Sequence, residues 1–190
     1  MPIWTFIRHG ESVSNAEGWF AGQRDTPLTA RGRAQAEALR EALRDVPFDR
    51  VLASDLTRAL DTAMTIVAGR GLELVVTPRL RERSCGEWEG RAIDELERTG
   101  DLAVFRAFDG RPPGGESLRD LAKRGLAYLA EVDDARLGAL VVSHGAFMRA
   151  VIGVLDRLSD AAFCDQHYDN CSVAVRDVPH GAFAAALREL

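Results

Sequence analysis

No paired cysteine spacing, no basic run, no long apolar stretch and no internal repeat occurs in this chain, and each absence narrows what it does. Cys85, Cys164 and Cys171 are odd in number and lack paired spacing, so free thiols in a reducing compartment are expected rather than a disulfide framework. No apolar stretch approaches the roughly 20 residues that cross a bilayer. Arg8 and His9 interrupt the early apolar run where a secretory leader would need continuity, so a cytoplasmic protein is expected. Asn170-Cys171-Ser172 matches a glycosylation sequon, which that compartment would leave unused. With a net charge of -5 and no basic run, neither nucleic acid nor a membrane surface is an expected partner. No Walker-type phosphate loop is present, and no helical His-x3-His or Cys-x2-Cys spacing. No metal and no cofactor are therefore expected.

What is there suits one ordinary globular domain. The 190 residues are 46% hydrophobic and 28% charged, enough to bury a core without disulfides or metal. The pattern alternates strand and helix. Residues 2–7 read as a strand, 30–45 as a helix with Thr29 as N-cap, and 49–53 as a strand. A helix over 56–68, a strand over 72–76, a helix over 116–132, a strand over 137–142 and a helix over 146–155 follow. Residues 170–176 and 182–187 read as two final strands around Pro179-His180-Gly181. Such alternation predicts a three-layer α/β/α sandwich on a mostly parallel sheet. One domain, 1–190, is expected. Residues 79–115, with helical stretches near 91–98 and 101–108, form a long excursion that suits a lid or cap.

The chemistry begins at Arg8-His9-Gly10-Glu11-Ser12, directly after the apolar run Ile3-Trp4-Thr5-Phe6-Ile7. A strand ending this way delivers a cation and an imidazole to the carboxyl edge of the sheet, where α/β folds bind ligands. Gly10 permits a sharp turn beside the imidazole. A second strand, Leu140-Val141-Val142-Ser143, runs into His144-Gly145 in the same way. If the two strands are parallel neighbours, both histidines share one edge. A third, Val51-Leu52-Ala53, leads through Ser54-Asp55-Leu56-Thr57 to Arg58 in the first turn of a helix, a place that suits an anion.

These segments, with Asn15, Asp25-Thr26-Pro27-Leu28-Thr29, Glu82, Gly86, Gly90 and Gly115-Glu116-Ser117-Leu118, resemble the histidine phosphatase superfamily, in the branch of phosphoglycerate mutases and broad-specificity phosphatases. The resemblance runs from residue 8 to 145 in family order. It implies a phosphoglycerate mutase-like fold and a phosphohistidine intermediate on His9. It implies that Arg8, Arg58 and His144 hold the phosphate oxygens, that Asn15 adds a contact, and that Glu82 protonates the leaving oxygen. A phosphoryl transition state spreads negative charge over its equatorial oxygens. Two arginines and a protonated His144 would answer that charge, while His9 must be neutral to attack. Its other ring nitrogen would rest on a backbone carbonyl. Glu82 must start protonated, which a nearby phosphate dianion would favour. Glu87 and Glu89 compete for that role on residue type alone, and only the family pattern selects Glu82.

The expected activity is hydrolysis of small phosphate esters by a histidine-type acid phosphatase, the partner being a small phosphorylated metabolite. A mutase is the alternative. Mutases of the family usually carry Trp before the asparagine that matches Asn15, and a long basic, proline-rich insertion after the glycine that matches Gly90; this chain has Ser14 and a short segment. A catalytically weak phosphate-binding regulatory domain is the non-enzyme alternative. Cys85 and Arg91 have the Cys-x5-Arg spacing of cysteine-dependent phosphatases, but Glu87 and Glu89 would repel a dianion there. His167 and His180 read as exposed or structural and Trp4 as core; Trp88 suits the pocket or the excursion equally. The oligomeric state stays open, a homodimer included.

Overall fold

The computed structural model describes residues 2–190, the side chains of Asp160, Ala161 and Cys164 excepted. Cys85 and Cys171 are free thiols; the side chain of Cys164 lies outside the described residues. A five-stranded sheet has the order β3-β2-β4-β1-β5, formed by β1 (Ile3–Arg8), β2 (Arg50–Ser54), β3 (Leu74–Thr77), β4 (Ala139–Ser143) and β5 (Val173–Asp177). The pairs β1–β4, β2–β4 and β2–β3 are parallel, and only β5 is antiparallel, against β1.

Strand alternation sends the apolar side chains to two cores. On one face Trp4, Phe6, Leu52 and Val141 pack under α6 (Leu118–Glu131), α7 (Gly145–Leu155) and α9 (Ala182–Arg188). On the other, Ile7, Val51, Leu140 and Val142 meet Leu39 of α2 (Ala30–Ala42) and Ala59, Ala63 and Ile66 of α3 (Thr57–Val67). The three-layer sandwich expected from the sequence is present. Thr29 caps α2 as expected, its hydroxyl accepting from Gly32 N–H at 3.0 Å. Asp25 caps α3 from a distant loop, accepting from Thr57 N–H at 2.8 Å.

The C-terminal expectation is corrected. Residues 182–188 form the helix α9, not a strand. Three consecutive alanines favour helix strongly, and Phe183 and Ala186, three positions apart, turn one face into the core. Two short helices were not expected: α1 (Val13–Glu17), closed by a Ser12–Asn15 capping box, and α8 (Asp160–Asp165). The 79–115 excursion holds α4 (Ile93–Thr99) and α5 (Asp101–Arg106). Among the described residues no helix is long and apolar enough to cross a membrane.

Candidate active site

Parallel pairing of β1 and β4 puts Arg8 opposite Ser143, so the two following histidines leave the sheet side by side. Their rings lie edge to face with centroids 5.1 Å apart. His9 N–H donates to Ser143 O at 3.0 Å, which fixes the turn. Gly10 N–H donates to Thr62 Oγ1 at 3.1 Å, and that hydroxyl donates to Arg58 O at 2.7 Å. The first loop is thus tied to the helix that carries Arg58. A Cβ on Gly10 would fall 2.5 Å from Gly32 O, and one on Gly32 would fall 2.0 Å from Glu11 O. Two backbones cross here at a distance only glycine permits.

His9 Nδ1 lies 2.6 Å from Gly10 O. A carbonyl only accepts, so Nδ1 carries the proton and Nε2 keeps its lone pair. Burial first, then the charges of Arg58 and Arg8, hold this imidazole well below its ordinary pKa, which keeps it neutral. The C-terminal side completes the clamp. Cys171, in the left-handed region at φ 57°, donates its N–H to Arg8 O at 3.0 Å and His9 O at 3.2 Å. Asn170 Nδ2 bridges His9 O and Asn15 Oδ1, each at 3.1 Å.

Arg8, Asn15, Arg58 and Glu82 line one cavity of about 240 Å³ together with His9. Arg58 is buried and donates to Gly22 O at 2.8 Å and Arg24 O at 3.0 Å; Arg8 donates to Tyr168 O. Burial lowers the pKa of both guanidinium groups, yet arginine stays charged. Asn15 Oδ1 also accepts from Ser12 N–H at 3.1 Å, which leaves its amide NH2 as a donor. The Glu82 carboxylate accepts from Ala146 N–H and Phe147 N–H, both at 3.2 Å, at the start of α7. Glu87 and Glu89 do not line the cavity; Glu89 Oε1 instead accepts from Gln23 N–H and Cys85 N–H.

His144 departs from expectation. It is fully buried beside His9 and does not line the cavity. Burial, then the charges of Arg58, His9 and Arg8, hold it well below its ordinary pKa, so the resting protein carries it neutral, not protonated. The Cys85 reading fails on the same physics. The thiol is buried, donates toward Arg83 O, and is pushed up to about 12, so it supplies no thiolate.

The 79–115 excursion was legible in its two helices and not in what holds it together. Arg83 is the residue the sequence did not single out. Fully buried, it donates at 2.6 Å to each of Phe105 O, Gly110 O and Glu116 O, tying the excursion to itself and to the residue that follows it. Burial lowers its pKa to about 10. No local pattern could have found it, because its partners are carbonyls set by tertiary folding. Backbone bonds then join the excursion to the loop after α1: Phe20 N–H to Arg91 O, Gly90 N–H to Phe20 O and Ile93 N–H to Gly18 O. Trp88 packs inside the excursion with Cys85, Leu96 and Leu102 and leaves the cavity wall to Trp19, Phe20, Ile93 and Phe105. His167 stands exposed at the cavity rim beside Asp169. His180 pairs with Asp133 at 3.3 Å, away from the site, and Trp4 is core.

Comparison with known proteins agrees with this geometry. The family model of the histidine phosphatase superfamily, branch 1, matches residues 4–189. A 2,3-bisphosphoglycerate-dependent phosphoglycerate mutase 2 of Gloeobacter violaceus is 36% identical, the match covering 98% of this chain and 91% of the relative. A mycobacterial glucosyl-3-phosphoglycerate phosphatase solved with VO3 superposes at a TM-score of 0.84 with 30% identity, covering 92% of each chain. The alpha-ribazole phosphatase of Shigella flexneri gives 0.81 and 30%, covering 93% of this chain and 90% of its own. The chain belongs to the histidine phosphatase superfamily, branch 1, as an enzyme of its phosphatase and phosphoglycerate mutase-like group.

Proposed function

We propose that the protein is a metal-independent phosphomonoesterase of the histidine acid phosphatase type, acting on small phosphate esters. The observation that carries the reading is His9: neutral, with its Nδ1–H donated to Gly10 O and its other nitrogen bare, in a cavity shared with Arg8 and Arg58. In the first step His9 Nε2 attacks phosphorus. The P–N bond forms, the ester P–O bond breaks, and Glu82 gives its proton to the leaving oxygen. Arg8, Arg58 and Asn15 take the equatorial oxygens, the preorganised charge that phosphoryl transfer needs. In the second step water attacks phosphohistidine, Glu82 receives the proton, and inorganic phosphate and free His9 result.

The two guanidinium groups of Arg8 and Arg58 in the cavity support metal-free catalysis, since they supply positive charge there. Among the described residues no three His, Cys, Asp or Glu side chains are grouped to hold an ion. The buried, depressed His9 keeps its attacking nitrogen unprotonated at neutral pH. The aromatic wall of Trp19, Phe20 and Phe105 offers apolar contact to the alcohol portion of an ester. A cytoplasmic location remains the reading of the cysteine usage.

A mutase is the second reading, favoured by the sequence relative from Gloeobacter violaceus. One experiment separates the two. Purified protein is assayed for phosphate release across a panel of phosphate esters, and for isomerisation of 3-phosphoglycerate with 2,3-bisphosphoglycerate present. Phosphate release is expected, abolished by His9→Ala with the fold retained. Isomerisation without release would select the mutase, and undiminished release by a folded His9→Ala would remove His9 as nucleophile.

A further inference from the structure

We propose that Arg124, held by Glu116, is a positioning residue for the acid Glu82: it fixes the stretch of backbone from which that carboxyl reaches the leaving oxygen. The inference rests on the acid role given to Glu82 above and concerns two side chains to which that reading gives no part.

Glu82 lies on no helix or strand. It follows a single 3-10 turn over Pro78–Leu80, and residues 81–85 have no regular structure. The backbone carbonyls of such a segment must find partners elsewhere in the fold. Arg124, in the second turn of α6, supplies them. Its Nη1 donates to Arg79 O at 2.9 Å and Arg81 O at 3.1 Å, and its Nη2 to Glu82 O at 3.2 Å. The same guanidinium grips Glu116, Nε to Oε1 at 3.0 Å and Nη2 to Oε2 at 2.9 Å. All five N–H groups of the fork are thereby used, one bond each. Glu116 Oε2 in turn accepts from Ser84 N–H at 2.9 Å, and Glu116 N–H donates to Ser84 O at 2.9 Å. The backbone on both sides of Glu82 is therefore tied to this one ion pair.

The pair acts at one remove from the chemistry. Neither side chain lines the cavity, whereas Glu82 does. The Glu82 carboxylate accepts from Arg83, Ala146 and Phe147 N–H at 2.8, 3.2 and 3.2 Å. Those bonds aim the carboxyl only while the backbone beneath it stays in place. A planar fork can span three carbonyls and a carboxylate at once; a lysine ammonium, with three donors on one atom, cannot. Glu116 also offsets the cation, so the brace adds no net charge next to an acid that must begin protonated.

The test compares kcat/KM for an alkyl phosphate and a nitrophenyl phosphate, which differ in their need for a proton at the leaving oxygen. Arg124→Lys keeps a charge for Glu116 and loses the fork. In that variant the alkyl ester should slow about 10–100-fold, the scale of a displacement of about 1 Å at a reacting group, and the nitrophenyl ester should change little. Placed on Glu82→Gln, Arg124→Lys should cost the alkyl ester little more, because the proton it positions is already absent. A general loosening of the fold would instead slow both esters and add to the Glu82→Gln loss. If Arg124→Lys does not fold, Glu116→Gln, which sets an amide NH2 against either Arg124 or Ser84 N–H, should show the same selectivity. Equal losses on the two esters, no loss on either, or full additivity with Glu82→Gln overturns the inference. If Glu82→Gln alone slows both esters equally, the acid role fails and the inference with it; the two failures are thereby told apart.

Discussion

Each side chain in the cavity has a job that can be isolated by substitution. If Glu82 protonates the leaving oxygen, Glu82→Gln should slow an alkyl phosphate by about 10²–10⁴-fold, the usual worth of general acid catalysis, and a nitrophenyl ester much less. Arg58→Ala should slow both esters comparably, since its guanidinium serves the phosphoryl group whatever departs. Equal losses on the two esters for a folded Glu82→Gln protein would move the acid role to another group. The histidines make a pH prediction. Burial first, then neighbouring arginines, lower the pKa of His9 and His144 in the folded protein, while in the unfolded chain both titrate near 6.5. Below that pH the unfolded state binds more protons, so their contribution to stability is complete above it. The contribution is lost as pH falls from about 6.5 toward the folded-state values, by up to about 1.4 kcal/mol per unit for each histidine. Denaturant titrations at pH 7.5, 6.5 and 5.5 check this, and rising stability on acidification would contradict it. At residue scale the sequence was informative because family motifs sit on one chain segment each: Arg8, His9, Asn15, Arg58 and Glu82 all line the cavity. Arg83 escaped, and Ser54 and Thr62 received no role, because their partners lie far along the chain.

The elements that hold these residues were legible where periodicity and propensity agreed. Strands β1, β2 and β4 are apolar runs buried on both faces, and α2, α3, α6 and α7 have clear amphipathic or capping signals. The error at α9 came from reading apolar continuity after a turn as a strand, when alanine content pointed to helix. Short helices α1 and α8 gave too few residues for a period to show. One junction between elements yields a sharp expectation. The start of α2 presses on the turn after β1, with Gly32 against Glu11 O, and that carbonyl already accepts from Thr29 N–H at 2.9 Å. Gly32→Ala has no space to occupy without moving backbone. It should cost about 1–3 kcal/mol, as overpacking does, and also reduce turnover by displacing Gly10 and His9. A thermal melt and a phosphatase assay on the same sample decide it; unchanged values in both would show that the contact yields freely.

For the molecule as a whole, charge is unevenly arranged. A net charge of -5 surrounds a cavity whose anion-binding groups are arginines, so local fixed charge must prevail over the general field, as it does within a low-dielectric pocket. Turnover should therefore survive exhaustive chelation. Loss of activity on chelation, restored by one divalent ion, would refute metal-free catalysis. The sheet order carries a different consequence. β1 is made before both of its sheet neighbours, β4 and β5, and the Arg8 bond to Tyr168 spans 160 positions. A growing chain therefore holds its nucleophile segment unpaired until β4 and β5 have been made, with the loop-closure cost of distant pairing still to be met. The carbonyls of Arg8 and His9 find Cys171 only once the chain has been made through residue 171. Phosphoryl chemistry is thereby withheld from any chain not yet made as far as β5, because the nucleophile's edge of the sheet is incomplete until then.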